Sequence, residues 1–165
     1  MIIVRKSGYL KFKNFKFRCA LGKNGIKRKV KEGDNITPVG IFKITKIYYR
    51  QDKIKKVKTS IKKINIKKNM GWCNDPQSNS YNQQIKLPSK FSCEKLYRND
   101  RVYDLLAVLN YNINPVIKNK GSAIFIHIAK NNYKPTAGCV ALKKLDLLKL
   151  LQTIKKNTKV KISAN

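Results

Sequence analysis

The sequence predicts a single domain over residues 1–165 that is mainly β (β-rich α+β), with one amphipathic helix near the C-terminus. Three observations support this: short apolar–polar alternations between turn residues, two strongly apolar runs in the second half, and one set of leucines at helical spacing. With 165 residues, 42% of them hydrophobic, the chain is long enough for one sizeable core. No internal repeat or long linker divides it.

The first half is predicted to be a series of short strands. Residues 1–21 alternate apolar and polar side chains between the turn signals KSG and KN, which predicts antiparallel strands. The turn LGKNGI follows, and the loop EGDNITPVGIF leads into the β-branched strand IFKITKIYYR. Asp34 and Thr37 are expected to satisfy backbone groups of that loop.

Residues 51–68 alternate lysine with isoleucine and valine. The pattern predicts one or two strands at a sheet edge, where lysine discourages pairing with another chain. A strip that binds a membrane surface or nucleic acid is the alternative. Residues 70–100 are rich in Asn, Ser, Pro and Gln around aromatic residues, which predicts a long structured loop region of the kind that commonly carries binding function.

The last third contains the strongest signals. VYDLLAVLNYN and GSAIFIHIA predict central strands, and KVKISA predicts a final strand. The helix is expected in LKKLDLLKLLQTIKK. Its apolar positions recur at i, i+3 and i+4, in two sets: Leu145, Leu148 and Leu151, and Leu147, Leu150 and Ile154.

The charge is strongly positive, with 38 Lys and Arg against 8 Asp and Glu, a formal +30. Such a surface attracts polyanions without specificity. Nearly all the basic residues are lysine, whereas bidentate recognition of phosphates and bases favours arginine. The abundance of Lys, Ile and Asn also fits a genome rich in A and T, so the charge alone assigns no function.

Membrane and export signals are not predicted. No apolar run is long enough to span a bilayer. The N-terminal residues lack the apolar stretch and small-residue cleavage site of a secretory signal, and they are interpreted as a first strand.

The cysteines Cys19, Cys73, Cys93 and Cys139 form no CxxC pair. With a single histidine in the chain, no zinc-ligand cluster is available, and we predict neither a metal nor a cofactor. The spacing leaves open whether any disulfide forms, and Cys73 is interpreted as structural.

The only histidine, His127, lies near the end of the predicted strand GSAIFIHIA. Alternation places Phe125 and His127 on one face of that strand and the neighbouring isoleucines on the other. The chain then returns at PTAGCVAL, where Gly138 leaves little bulk beside Cys139 and frees the backbone to direct N–H groups at an oxyanion. A nucleophilic cysteine needs a base or a cationic neighbour, and an imidazole with an ordinary pKa of about 6.5 can serve near neutral pH. A buried histidine beside an inert thiol is the alternative.

The His-loop-Thr-x-Gly-Cys segment, together with the Gly-Asp-x-x-Thr-Pro-x-Gly loop, resembles the L,D-transpeptidase (YkuD-like) catalytic domain of bacterial cell-wall enzymes, in a compact single-domain form. The similar segments follow in the same order over nearly the whole chain. The resemblance implies an L,D-transpeptidase-like β-sandwich or barrel, peptidoglycan stem peptides as substrate, no cofactor, and action in the periplasm or cell envelope. We expect a monomer.

Residue by residue, the resemblance implies that Cys139 is the nucleophile and His127 the general base. It implies that Gly138 and Thr136 form the turn and oxyanion region, and that the backbone carbonyl of Ile128 orients the imidazole. The family's usual turn has a second histidine where Ala137 stands here. Arg or Asn often stands where this chain has Ala141. Both departures leave the donor specificity, and the balance of transfer against hydrolysis, open.

Further side chains are assigned from their position in polar or aromatic loops. Predicted wall residues of the cleft are Trp72, Tyr81, Asn82 and Asn112. Arg98 and Asp104 are expected to form an internal ion pair.

Three functions are therefore weighed. The first is a cysteine-dependent L,D-transpeptidase that forms a thioester, and the second an amidase or carboxypeptidase with the same Cys–His chemistry. The third is a non-catalytic basic module that binds polyanions. Faster alkylation of Cys139 than of the other cysteines at neutral pH would favour the two catalytic hypotheses over the polyanion-binding module.

Overall fold

The computed structural model describes residues 1–165 and contains fourteen β-strands and one α-helix, α1 (Lys144–Thr153). The strands are β1 (Ile2–Arg5), β2 (Tyr9–Phe12), β3 (Phe15–Ala20), β4 (Ile26–Lys27), β5 (Thr37–Pro38), β6 (Gly40–Tyr49), β7 (Lys63–Asn65), β8 (Met70–Cys73), β9 (Gln84–Lys86), β10 (Cys93–Lys95), β11 (Leu105–Leu109), β12 (Phe125–Ile128), β13 (Val140–Leu142) and β14 (Lys159–Ser163).

Nine strands form one sheet in the order β11-β12-β13-β3-β2-β1-β14-β6-β7, and β6 pairs with β11 as well. Strand β6 can do this because it is ten residues long: residues 40–43 pair with β14, and residues 44–49 pair with β11. The sheet therefore closes on itself like a barrel through the β6–β11 pairing, and β7 remains as a short edge strand beside β6. The predicted mainly β fold with one C-terminal helix is confirmed.

The central strands and the antiparallel N-terminal strands are confirmed. Strands β1, β2 and β3 pair antiparallel in sequence order, and the last strand, β14, lies parallel to β1. Every residue of β11 and β12 is buried, as expected of strands with both faces covered.

Helix α1 contributes Leu147, Leu150 and Leu151, all fully buried, to the larger apolar core of 26 buried residues. Leu145 is 77% exposed, so the buried face of α1 is narrower than the face predicted from the spacing of its apolar residues. Ile154 is buried but follows the end of the helix. No helix in the structure has the length and apolar character needed to cross a bilayer.

Residues 51–68 agree with the prediction in part. Only β7 is a strand, and it does lie at the end of the sheet order. Ile54, Val57 and Ile61 are buried in the larger core without strand pairing. These residues lie three and four positions apart. That spacing places side chains on one face of a helical or turn-like segment, whereas the side chains of one face of a strand are two positions apart.

Residues 70–100 were predicted to be a loop region, but they contain a three-stranded sheet in the order β10-β8-β9. Short strands separated by polar turns are hard to distinguish from loop in the sequence. A second apolar cluster, of 11 buried residues, includes Trp72 from β8, Phe125 from β12 and Cys139. The small sheet thus packs behind the segment that carries the predicted catalytic pair.

Candidate active site

Cys139 lies immediately before β13 and is 8% exposed. The backbone N–H of Phe125 donates to its Sγ at 3.3 Å, and the thiol donates to the carbonyl oxygen of Ala123 at 3.1 Å. Burial raises the pKa of the Cys139 thiol to about 12; the nearby Glu94 carboxylate acts in the same direction, and the Phe125 N–H opposes it. The resting group at neutral pH is therefore a neutral thiol.

His127 lies on β12, which runs parallel to β13 with His127 opposite Ala141. Its Nδ1 is 2.9 Å from the carbonyl oxygen of Ile128. A carbonyl oxygen only accepts hydrogen bonds, so Nδ1 carries the hydrogen and Nε2 of the neutral ring carries the free lone pair. This arrangement agrees with the role the resemblance implied for the Ile128 carbonyl.

Burial lowers the pKa of His127 to about 4, while the hydrogen bond to Ile128 acts in the opposite direction. The expectation of an imidazole with an ordinary pKa near neutrality is therefore wrong, because the sequence does not show that the ring is 5% exposed. The pair rests as thiol and neutral imidazole, and not as thiolate and imidazolium.

Cys139 and His127 line the same cavity, which has a volume of about 330 Å³. In the resting geometry the thiol hydrogen bond goes to Ala123 and not to the imidazole. The predicted alternation along β12 is confirmed, since Phe125 belongs to the second apolar cluster and Ile124, Ile126 and Ile128 belong to the larger one.

The turn before Cys139 is held by Thr136. The Thr136 hydroxyl donates to the carbonyl oxygen of Cys139 at 2.6 Å and accepts from the N–H of Gly138 at 3.1 Å. Because that N–H is engaged, Gly138 does not supply the free oxyanion donor that the sequence suggested. The backbone N–H groups of Ala137 and Cys139 have no acceptor within the protein, so they are the free donors of this turn.

The turn before Cys139 is held by hydrogen bonds that involve two loops identified in the sequence analysis. The Thr136 N–H donates to Leu21, and the Thr136 carbonyl accepts from Lys23, which docks the turn on the LGKNGI loop. Thr37 accepts the N–H of Gly22 at 2.8 Å, so it satisfies a backbone group of the other loop and not of its own.

Asp34 behaves as predicted and organises its own loop. Its carboxylate accepts the backbone N–H groups of Val30, Lys31 and Ile36 and forms a buried ion pair with Lys29, which lines the cavity. Burial alone would raise the pKa of Asp34, but these hydrogen bonds outweigh it and lower the pKa to about 2.

Gly138→Ala is expected to lower both stability and any activity of the site. Gly138 has φ +138°, and an added Cβ would lie 2.8 Å from the carbonyl oxygen of Ile36. The turn must therefore shift and carry Cys139 with it; a displacement of about 1 Å at a nucleophile costs roughly 10²-fold in rate. Thermal unfolding and the rate of covalent labelling of Cys139 by an electrophilic substrate analogue measure the two effects.

Gly25→Ala is the matched control, because Gly25 also has a positive φ, +76°, but an added Cβ there meets nothing within 4 Å. It carries the backbone strain without the collision. Equal labelling rates for the two variants would contradict the role assigned to the close approach of Gly138 to Ile36.

Several cavity residues were not predicted from the sequence, and among them are Glu94, Tyr103 and Ser122. The Tyr103 ring packs edge-on against His127 with centroids 5.4 Å apart, and its hydroxyl donates to Glu94 at 2.6 Å. Burial raises the pKa of Glu94 and of Tyr103. The Ser122 hydroxyl is buried at the cavity without a hydrogen-bond partner. The only available signal was the aromatic and polar character of their segments.

The predicted ion pair between Arg98 and Asp104 is wrong. Arg98 pairs with Asp100 instead, two residues away, and its guanidinium lies 5.0 Å from the centroid of the Tyr103 ring. Asp104 keeps one carboxylate oxygen without a partner. Local geometry decides the pairing, because Asp100 is on the same loop as Arg98 and Asp104 leads into β11.

The prediction that four residues form the wall of the cleft is wrong, because none of them lines the cavity and they lie behind it. These residues are Trp72, Tyr81, Asn82 and Asn112. The Trp72 ring packs 5.1 Å from Phe125, and its Nε1 donates to Asn82 at 3.0 Å. Asn82 also accepts the N–H of Ala123, which has a positive φ of 52°. Asn82 thus stabilises the strained residue whose carbonyl receives the Cys139 hydrogen bond.

Tyr81 and Asn112 hold the other end of the same segment. The Tyr81 hydroxyl donates to Glu32 and accepts the N–H of Gly121 at 2.9 Å. Asn112 donates to the carbonyls of Ile117 and Gly121. These side chains are occupied within the protein because they shape residues 117–123, which lead into β12.

The fold and the cavity together define a β-rich protein with a buried thiol and a neutral imidazole at one site. A family model described as the L,D-transpeptidase catalytic domain (YkuD) matches residues 1–162. The chain belongs to this family, as a compact member that the domain spans almost end to end.

A solved structure of similar fold is the helical cell shape determining protein Pgp2 from Campylobacter jejuni. The TM-score is 0.52 at 15% sequence identity, and the match covers 99% of this chain and 47% of the other. This chain thus spans about half the length of that protein, and the likeness is one of fold. A search among curated proteins finds no match.

Proposed function

We propose that this chain is a cysteine-dependent L,D-transpeptidase that acts on peptidoglycan stem peptides through a thioester acyl-enzyme. The observation that carries the proposal is the placement of Cys139 and His127 on one cavity, with the Ile128 carbonyl holding the imidazole so that Nε2 is free. Membership of the L,D-transpeptidase family supports the substrate class.

In the proposed acylation, Cys139 Sγ attacks the carbonyl carbon of an L-configured residue of the stem peptide. His127 Nε2 removes the thiol proton as the S–C bond forms and delivers it to the leaving amine as the C–N bond breaks. Because burial keeps both resting groups neutral, the proton moves during the attack and not before it. The free N–H of Cys139 is the candidate donor to the oxyanion.

The second half-reaction decides whether the product is a cross-linked peptide or a hydrolysed one. An amine of another stem peptide attacks the thioester and forms a cross-link, or water attacks it and releases the acid, as in an amidase or carboxypeptidase. His127 acts as the base in either case. At position 137 alanine replaces the usual histidine, so this part of the turn presents no hydrogen-bonding side chain to an acceptor.

The charge at the cavity suits a substrate that carries carboxylates. Lys130 and Lys134 line the cavity without an ion-pair partner, whereas Lys29 is neutralised by Asp34. Unpaired lysines beside a concave site attract anionic groups. An enzyme of this substrate class works in the periplasm or cell envelope, and the role of the Campylobacter protein in determining cell shape is consistent with such a location.

Purified muropeptides test the proposal directly. The wild-type protein and Cys139→Ala are incubated with them, with and without an added amine acceptor, and the protein and products are analysed by mass spectrometry. A thioester-linked protein and cross-linked dimers are expected only with wild type. Shortened stems without dimers would instead indicate the hydrolase. Salt-sensitive binding that is identical in both proteins, with no product, would favour the polyanion-binding module.

A further inference from the structure

Cys73 and Cys93 take no part in the proposed reaction, yet they lie directly opposite each other on neighbouring strands. Strand β8 pairs antiparallel with β10, and the register sets Cys73 against Cys93. Directly opposed residues of an antiparallel pair project to the same face of the sheet. The two cysteines are twenty residues apart in the chain, so the fold alone makes them neighbours.

The surrounding hydrogen bonds define the kind of pair. The N–H of Asn74 donates to the carbonyl of Ser92 at 3.2 Å, and the N–H of Leu96 donates to Met70 at 3.0 Å. Bonded and non-bonded pairs alternate along an antiparallel ladder, so Cys73 and Cys93 occupy a non-hydrogen-bonded position. At that position Cα atoms are about 4.5 Å apart, within the roughly 4.4–6.8 Å that a disulfide spans.

We propose that Cys73 and Cys93 are a disulfide site that is oxidised by exchange with an external disulfide such as oxidised glutathione. Cys93 is half-buried and can be reached from solvent, whereas Cys73 is fully buried. The Cys93 thiolate attacks one glutathione sulfur and releases one glutathione thiol. The Cys73 thiolate then attacks the Cys93 sulfur of this mixed disulfide and releases the second.

The step balances without another reactant. Two protein S–H bonds and the glutathione S–S bond break, and one protein S–S bond and two glutathione S–H bonds form. The protein loses two electrons, and glutathione gains them.

A disulfide between Cys73 and Cys93 would lie beside the cavity wall. Asn74 follows Cys73 and Glu94 follows Cys93, and both line the cavity that contains Cys139. A bond between the cysteines would join the two strands that supply this part of the wall. It would also close a loop of about twenty residues, and closing such a loop stabilises the folded state by restricting the unfolded chain. The proposal is independent of the proposed activity, since neither readout below is catalytic.

The test uses the full chain with Cys139→Ala, so that glutathione cannot add at position 139. After incubation with excess oxidised glutathione, we expect an intact mass lower by two hydrogens and a linked peptide that contains Cys73 and Cys93. The Tm should rise by roughly 5–10 °C and return to its starting value with dithiothreitol. Cys93→Ser in the same background should show neither change, and Cys19→Ser should show both.

Two results would overturn the proposal. One is a persistent glutathione adduct on Cys93 with a free Cys73 thiol, which would mean that the two sulfurs cannot meet. The other is a protein that stays fully reduced in saturating oxidised glutathione while a denatured sample of the same variant reacts.

Discussion

Cys139→Ala is expected to abolish covalent modification and turnover, by on the order of 10⁶-fold as for other covalent nucleophiles. Sulfur is the only atom at this position that can form the thioester. The variant should remain folded, because the side chain is small; the loss of its hydrogen bonds with Phe125 and Ala123 should cost about 1 kcal/mol. Intact mass after incubation with a carbapenem, together with thermal unfolding, measures both.

Two variants separate the chemical role from a packing role. Cys139→Ser keeps a donor and an acceptor for the same two partners, so it should match wild-type stability more closely than the alanine variant while remaining unreactive. Cys19→Ala removes another buried thiol whose pKa burial also raises to about 12, but which does not line the cavity, and it should react like wild type. A normal adduct on Cys139→Ala would sink the mechanism.

The meeting of Cys139 and His127 at one cavity could be predicted from the sequence because the two residues lie in one short segment. His127 lies on β12, and Thr136, Gly138 and Cys139 lie in the connection from β12 to β13, where their residue types limit what the turn can do. Glu94, Tyr103 and Ser122 could not be found in this way. They reach the cavity through the small sheet and through loops whose positions depend on long-range strand pairing.

The strand pattern was predictable where both faces of a strand are buried, as in β11 and β12, or where polar and apolar residues alternate strictly, as in β14. In residues 51–68 only β7 fits the predicted edge strand, because in the rest of the segment lysines separate apolar residues at uneven intervals. Closure of the sheet was also hidden, because it depends on β6 changing partners halfway along its length.

Protonation was the other property that the sequence could not supply. A lone histidine near a cysteine suggests an ion pair with ordinary pKa values. Burial acts on both groups in the direction of neutrality, since it lowers the pKa of His127 and raises that of Cys139. The distinction matters because an ion pair reacts as a preformed thiolate, whereas a neutral pair depends on the base at the moment of attack.

His127 also links stability to pH, and this gives a readout of its burial that is independent of activity. Its pKa is about 4 in the folded protein, below the roughly 6.5 of an unfolded chain. The unfolded state therefore binds the proton first, so the stability due to neutral His127 is complete above about pH 6.5 and is lost as the pH falls toward 4. His127→Asn, which retains an amide N–H for the Ile128 carbonyl, should lose this part of the acid sensitivity.

Replacement of His127 is expected to lower the rate of acylation at pH 7 by about 10²–10⁴-fold, the usual contribution of a general base. His127→Ala and His127→Asn should both show the defect, although only the second preserves the hydrogen bond to Ile128.

In both variants the reaction must use Cys139 thiolate that forms without the imidazole base. With the Cys139 pKa near 12, the thiolate fraction grows about tenfold for each pH unit between 7 and 10. The acylation rate of the variants should rise by the same factor, while wild type stays flat because neutral imidazole is fully present throughout this range. Intact mass after timed exposure to a carbapenem at each pH measures the rates. If both variants acylate like wild type at pH 7, His127 is a buried structural histidine, and the proton must leave the thiol by another route.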